Sequence, residues 1–371
     1  MKADQPSAQL MFDLDKDVHA ASSTRRPILH HLNADTTWFL QLPRPDLDLQ
    51  KGSRFYYNLL IDPWLSGSQS DVANWFSRQF HADPSAVPSI AALEQLAWDS
   101  EKSATGPPSD SREGEADANG AHKSESESAI DAVIISHEFS DHCHKETLLE
   151  VQPSVPVFAI KEAAKLIRKW KHFETIVVIE SFATNGNADW RSTTQSPLPN
   201  WIGISRLLQT DDVLNFHSAV MIAFASPSQA SSAEAIIYTP HGISSGDLNL
   251  ISSASPPITT LAFLHGLHNV RVGTAGGRTA LQTNLGAYNG LKAQRLLKAR
   301  YWISTHDEVK TGSGLVSWFL QREVISVKEA LEEERKASDK DAGTGADEDL
   351  IKAFEGTNWV ELGNGEKRVL V

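Results

Sequence analysis

The chain has 371 residues, 40% of them hydrophobic, enough to bury the core of one large domain or two small ones and too many for a wholly disordered polymer. Its formal charge of −13 at pH 7 has the wrong sign for a protein that gains affinity by neutralising phosphates, so a nucleic-acid partner is not expected. A single cysteine, Cys143, excludes an internal disulfide and a cysteine-based zinc module, and any metal must rest on His, Asp or Glu.

Residues 1–17 lack the apolar run of a signal peptide, and no stretch reaches the roughly 18 apolar residues of a membrane span. A cytoplasmic protein with no membrane partner is therefore expected, with residues 1–27 as an extension to a single domain over 28–371. Thr36–Leu42 and Tyr56–Ile61 are rich in aromatic and branched residues and stop at Pro43 and at Asp62-Pro63, which predicts two strands. From Asp99 to Glu127, eight acids and three bases stand among Gly, Ser and Pro, which predicts a disordered acidic insertion over 99–128. Ala132–Ser136 is the short apolar run of a strand covered on both faces. Pro156–Ile160 predicts another strand, followed by a helix over Lys161–Lys171 in which Ala163, Ala164, Ile167 and Trp170 recur at helical spacing. The K-L-I-R-K-W-K run within it reads as a solvated face with Trp170 turned to the core, rather than as an RNA surface.

Further strands are expected at Thr175–Ile179, Ala219–Ala225, Ala235–Tyr238, Ile258–Leu264 and Arg300–Ser304, with a helix over Gly290–Lys298 before the last. Gly273, Gly276 and Gly277 lack the G-K-[ST] of a phosphate loop and predict a flexible loop carrying Arg271 and Arg278. Lys328–Asp349, with nine acids and four bases, starts as a helix and passes into a polar low-complexity segment over 337–349. A last strand is expected near Trp359–Val371. Strands with intervening helices indicate an α/β layered architecture.

Of the fourteen histidines, His137, His241 and His306 each fall at or just after the end of an apolar strand-like run, and His142 and His144 lie on the loop that His137 opens. Strand ends bring loops from distant parts of a sequence to one rim, where they can converge on one ion or substrate. Neutral imidazoles together with a carboxylate suit zinc, manganese or iron. His265 and His268 either line the same rim or share a helical turn, and Cys143 is reactive only if it is exposed.

The run A-V-I-I-S-H-E-F-S-D-H-C-H, from Ala132 to His144, resembles the H-x-H-x-D-H metal loop of the metallo-β-lactamase superfamily. The likeness continues through H-L-N-A-D-T-T-W-F-L (31–40), L-L-I-D-P-W (59–64), I-I-Y-T-P-H-G (236–242) and Y-W-I-S-T-H-D-E (301–308). Within the superfamily the chain is most similar to L-ascorbate-6-phosphate lactonase-like hydrolases. The resemblance implies a four-layer αββα sandwich, Asp62 as the acid at a strand end, and hydrolysis of a small ester, lactone or phosphoester by a metal-activated water. Phe139 stands at the motif's second histidine, and a phenyl ring cannot ligate; His217 is the nearest candidate for the third ligand of the first metal position. The set that the resemblance leaves is Asp141, His142, His306 and, in place of the bridging acid, His241, with His137 close by, holding one ion of zinc, manganese or iron. Glu138, Asp141 and His144 are the candidates for proton transfer and orientation. The rival expectation is a metal-free protein of the same fold that binds or scaffolds, which Phe139 favours.

Overall fold

The computed structural model describes residues 18, 21–45, 53–70, 77–105, 127–183, 186–208, 216–226, 229–273, 279–313, 318–338 and 346–371. Most of the expected acidic insertion, the stretch 274–278 with Arg278, and residues 339–345 of the polar segment lie outside the described residues. The chain forms two compact units, one built from residues 1–70, 80–178 and 362–371 and the other from 71–79 and 179–361.

In the first unit the strands are β1 (Ile28–His31), β2 (Trp38–Pro43), β3 (Tyr56–Ile61), the short β4 (Ser68–Gln69), β6 (Ala132–Ile135), β7 (Val157–Ala159), β8 (Ile176–Val178) and β19 (Lys367–Val369), β5 being Arg78–Phe80. Seven of them form one sheet in the order β19-β1-β2-β3-β6-β7-β8. β19, β1, β2 and β3 pair antiparallel, whereas β3, β6, β7 and β8 run parallel, with Ile61 opposite Ile134 and Ile134 opposite Phe158. These parallel strands are the apolar runs of the sequence. Leu60, Val133, Ile135 and Val157 pack in one cluster with α1 (Ile90–Thr105) and α3 (Lys161–Trp170), while Leu59, Ile61, Ile134 and Phe158 on the opposite face are also buried.

Helix α1 begins where Ser89 Oγ accepts from the Ala92 amide at 3.2 Å and the Glu150 carboxylate from the Ile90 amide at 3.0 Å, which satisfies two of the amides a helix start leaves bare. It then runs on to Thr105, into the stretch expected to be disordered. The reason is Glu101, which is buried and accepts from the backbone amides of Phe55 and Tyr56; composition registers an acid there but not its partners. Helix α3 buries Ala163, Ala164 and Ile167 as the spacing required, with Trp170 half-buried against the same core, and it ends at Lys171 in the left-handed region.

The second unit contains β9 (Ile202–Leu208), β10 (Ser218–Ser226), β11 (Gln229–Thr239), β12 (Ile258–His265), β13 (Asn269–Gly273), β14 (Thr279–Leu285), β15 (Tyr301–Ile303), β16 (Thr311–Ser313), β17 (Leu320–Glu323) and β18 (Trp359–Val360). A six-stranded sheet runs β18-β15-β12-β11-β10-β9, antiparallel from β9 to β11 and parallel from β11 through β12 and β15 to β18. Met221, Ile237, Phe263 and Trp302 pack with α5 (Gly286–Leu297) and α6 (Val327–Ser338), through Leu291 and Leu331 among others. A smaller sheet runs β14-β13-β17. It includes Arg271, which stands in β13 opposite Gln282 and Gln321 and so does not belong to a flexible loop. The last expected strand is two short ones, β18 in the second unit and β19 in the first.

In each unit the parallel strands end together. Ile61 pairs with Ile134 just before Asp62 and Ser136, and Thr239 pairs with His265 while Leu264 pairs with Ile303. The C-terminal ends of parallel strands are where open α/β sheets place their ligands.

Candidate metal centre

In the first unit the centre is built around Asp62, the residue that ends β3. Its backbone is left-handed at φ +44°, held by an amide donating to Ile134 O at 3.0 Å, a conformation a non-glycine residue keeps only where its surroundings demand it. This brings the carboxylate to the loop that follows β6. Oδ1 accepts from the Ser136 amide at 2.7 Å, and Oδ2 accepts from the Ser136 hydroxyl and from His142 Nδ1, the latter at 2.7 Å. Asp62 and His142 are both wholly buried. Because Nδ1–H is spent on Asp62, the hydrogen-bond network assigns His142 the tautomer whose Nε2 carries a lone pair. That Nε2 lies 3.7 Å from Asp141 Oδ1. His137 Nδ1 donates in turn to Ser136 Oγ at 2.9 Å, and His137 and His142 each offer a ligand atom within 4.8 Å of the other's.

The loop carrying these groups is a tight turn in which the amides of His142 and Cys143 both donate to Phe139 O, at 2.9 and 2.8 Å. Thr36 Oγ1 pins it by donating to Asp141 O at 2.7 Å. The Phe139 ring lies nearly parallel to that of His137, centroids 6.0 Å apart. Cys143 is buried, and burial, with the nearby Asp62 and Glu138 charges, pushes its thiol pKa up, which disfavours the thiolate. His144 serves local structure: Nδ1 accepts from the Thr147 amide at 3.3 Å, capping α2 (Lys145–Leu148), and Nε2 donates to Ser68 O at 3.4 Å. Burial holds the His144 pKa below its ordinary value, against the opposing charge of Glu146. Glu138 is half-buried on the same loop.

In the second unit His241 follows β11 and is 5% exposed. Its Nδ1 lies 3.3 Å from Asn284 Oδ1 on β14, and its carbonyl accepts from the Leu285 amide at 3.0 Å. Gly242 has φ +90°, and a Cβ there would stand 2.8 Å from Leu285 Cβ, so this turn needs glycine. His306 follows β15 with φ +60°, and its ring meets that of His241 edge to face, centroids 5.0 Å apart. Next to it the half-buried Asp307 carboxylate accepts from the amides of Leu267 at 2.7 Å and His268 at 2.8 Å and from the Ser304 hydroxyl at 3.0 Å. It thereby ties the loop after β12 to the loop that carries His306. Burial pushes the Asp307 pKa up, and those amides pull it back.

His265 ends β12 and His268 lies in the loop beyond it, so the two do not share a helical turn. His265 is buried, with Nε2 2.8 Å from Asn289 Oδ1, and His268 Nδ1 accepts from Arg322 at 2.8 Å. His217 stands immediately before β10. Sequence reasoning singled out Asp62 but gave no role to Ser136 and Asp307, which lie within the quoted runs, or to Asn284, which lies outside them. The first unit thus offers two buried imidazoles hydrogen-bonded at Nδ1, with Asp141 beside them, and the second offers His241, hydrogen-bonded at Nδ1, with the buried His306 ring against it. This donor chemistry fits zinc, manganese or iron.

Among the described residues, no helix is long and apolar enough to cross a membrane. No family model and no curated protein matches the chain. Solved structures do. A protein described as a possible metal-dependent hydrolase from Veillonella parvula matches with TM-score 0.50 and 12% identity, over 93% of this chain and 100% of that one. An isothiocyanate hydrolase from Delia radicum gut bacteria matches with TM-score 0.50 and 14% identity, over 93% and 99%. The metallo-β-lactamase fold protein YhfI of Bacillus subtilis matches with TM-score 0.43 and 11% identity, over 92% and 99%. At such identities the likeness reaches the architecture and no further: the chain shares the α/β architecture of the Veillonella parvula and Delia radicum proteins.

Proposed function

We propose that the chain is a metal-dependent hydrolase of a small ester, lactone or phosphoester that uses one divalent ion, with Asp141, His142, His241 and His306 as the ligands that the resemblance implies and His137 close by. The observation that carries this reading is the hydrogen bond from His142 Nδ1 to Asp62. A carboxylate with no exposure is costly to bury, and here it is used to turn one imidazole and set its tautomer, which is how proteins orient histidine ligands. When bound, such an ion lowers the pKa of its water and polarises the scissile carbonyl or phosphoryl oxygen.

The remaining roles belong to the chain. Asp62 sets the tautomer that puts a lone pair on Nε2 of His142, Ser136 does the same for His137, and Asp307 fixes the loop bearing His306. Asp141 and Glu138 are the carboxylates placed to orient substrate or move a proton, whereas His144, with both ring nitrogens engaged, holds the start of α2 and the Ser68 backbone. Phe139 favours a second reading, a metal-free protein that binds without hydrolysing.

Elemental analysis of tag-free protein, expressed with zinc, manganese and iron available, separates the two. One equivalent of metal, lost in His142→Ala and in His306→Ala while the circular dichroism spectrum is kept, is the expected result. No metal after reconstitution overturns the hydrolase in favour of the binding protein, and metal retained by both variants overturns the ligand set.

A further inference from the structure

His241 stands where the resemblance calls for an aspartate, and the exchange creates a requirement that an acid does not have. Either oxygen of a carboxylate can take a cation. An imidazole takes one through a single nitrogen, and only when its proton sits on the other. His241 therefore needs a neighbour that selects its tautomer.

The hairpin of β13 and β14 supplies one. Asn284, opposite Val270 in the ladder and 6% exposed, presents Oδ1 3.3 Å from His241 Nδ1. Its carbonyl is tied down by Gln282 Nε2 at 2.6 Å, and the next residue, Leu285, donates its amide to His241 O at 3.0 Å. The hairpin thus grips His241 by main chain and side chain together. The Phe216 ring stands edge-on to the imidazole, centroids 5.8 Å apart. We propose that Asn284 is the positioning residue for His241: it accepts the Nδ1–H and leaves Nε2 as the ligand atom. The proposal rests on the reading of His241 as a ligand and adds which nitrogen binds and which residue selects it.

Three variants test it. Asn284→Leu removes the acceptor at similar volume, Asn284→Ala removes it with less crowding, and Asn284→Asp keeps it. Long-range proton–nitrogen spectra of the metal-free proteins at pH 8 report the tautomer, with the His241 signals identified by their loss in His241→Gln. Competition with a chromophoric chelator reports the dissociation constant for zinc alone. The expected result is an Nδ1–H tautomer in the wild type, mixed tautomers and about tenfold weaker zinc binding in Asn284→Leu and Asn284→Ala, and recovery of both in Asn284→Asp. An Nε2–H tautomer in the wild type overturns the proposal, as do unchanged tautomer and affinity in the two variants lacking the acceptor. If the wild type binds no zinc, the hydrolase reading falls while the spectra still decide what Asn284 does, so the two failures are distinguishable.

Discussion

Asp62→Asn changes one atom of a buried carboxylate and reverses the sense of the two hydrogen bonds that Oδ2 accepts. The amide oxygen can replace Oδ1 and keep the Ser136 amide, which leaves the NH2 where Oδ2 accepts from the Ser136 hydroxyl and from His142 Nδ1. The hydroxyl can rotate and accept. The imidazole has no such freedom: to meet a donor it must present a lone pair at Nδ1, which moves its proton to Nε2, the nitrogen 3.7 Å from Asp141 Oδ1. The same substitution beside a catalytic histidine acts by imposing the wrong tautomer. Loss of a partner behind a ligating histidine weakens metal binding by about 10- to 100-fold, or about 1.4 to 2.7 kcal/mol. Folding should suffer less, because a lost charge-assisted hydrogen bond of about 1.5–3 kcal/mol is partly offset by no longer burying a charge. Zinc affinity by chelator competition and thermal melting, read on the same preparations, separate the two effects. Zinc binding within twofold of the wild type by a folded Asp62→Asn would refute the tautomer argument.

Two further predictions concern Phe139 and His30. Since the Phe139 ring lies against His137 at 6.0 Å, Phe139→His puts an imidazole where a second ion lacks a ligand, and metal content should rise from one to two equivalents by elemental analysis; a value that stays at one means that Phe139 is not the limiting position. His30 is buried, with Nε2 2.9 Å from Gln41 Oε1, and burial lowers its pKa from 6.5 to about 3. Between those values the unfolded chain takes up a proton that the folded chain refuses, so stability rises with pH, being complete above 6.5 and lost as pH falls toward 3. At pH 4.5, two units below the unfolded value, His30 costs the wild type about 3 kcal/mol. His30→Leu carries no such penalty. Its stability relative to the wild type, from urea unfolding, should improve by about 3 kcal/mol between pH 7.5 and pH 4.5, and no change between those pH values would show that the folded protein accepts the proton.

Much of the fold was legible because its strands are dense and local. Tyr56–Ile61 is observed with the expected bounds, and Ala132–Ser136, Ile258–Leu264 and Lys161–Lys171 hold to within a residue, since each is a run whose burial is written in consecutive apolar residues or in helical spacing. The elements that escaped depend on distant partners. Glu101 belongs to a helix because the amides of Phe55 and Tyr56 meet its carboxylate, and Arg271 belongs to a strand because Gln282 and Gln321 flank it. Neither partner is visible in a local window of sequence.

The same division runs through the candidate site. Sequence alone determined that the candidate histidines stand at the ends of apolar strands, that Asp141 and His142 share one loop with His137, and that Phe139 cannot ligate, because strand ends and side-chain chemistry are local properties. Only the tertiary structure decided that Asp62 grips His142, that Asn284 meets His241, and that the His144 side chain caps a helix. The reason is physical. A histidine's role depends on which of its two nitrogens is engaged and by what, and those partners lie 80 residues away for His142 and 43 for His241, brought near by the pairing of β3 with β6 in the first case and by the bond from the Leu285 amide to His241 O in the second.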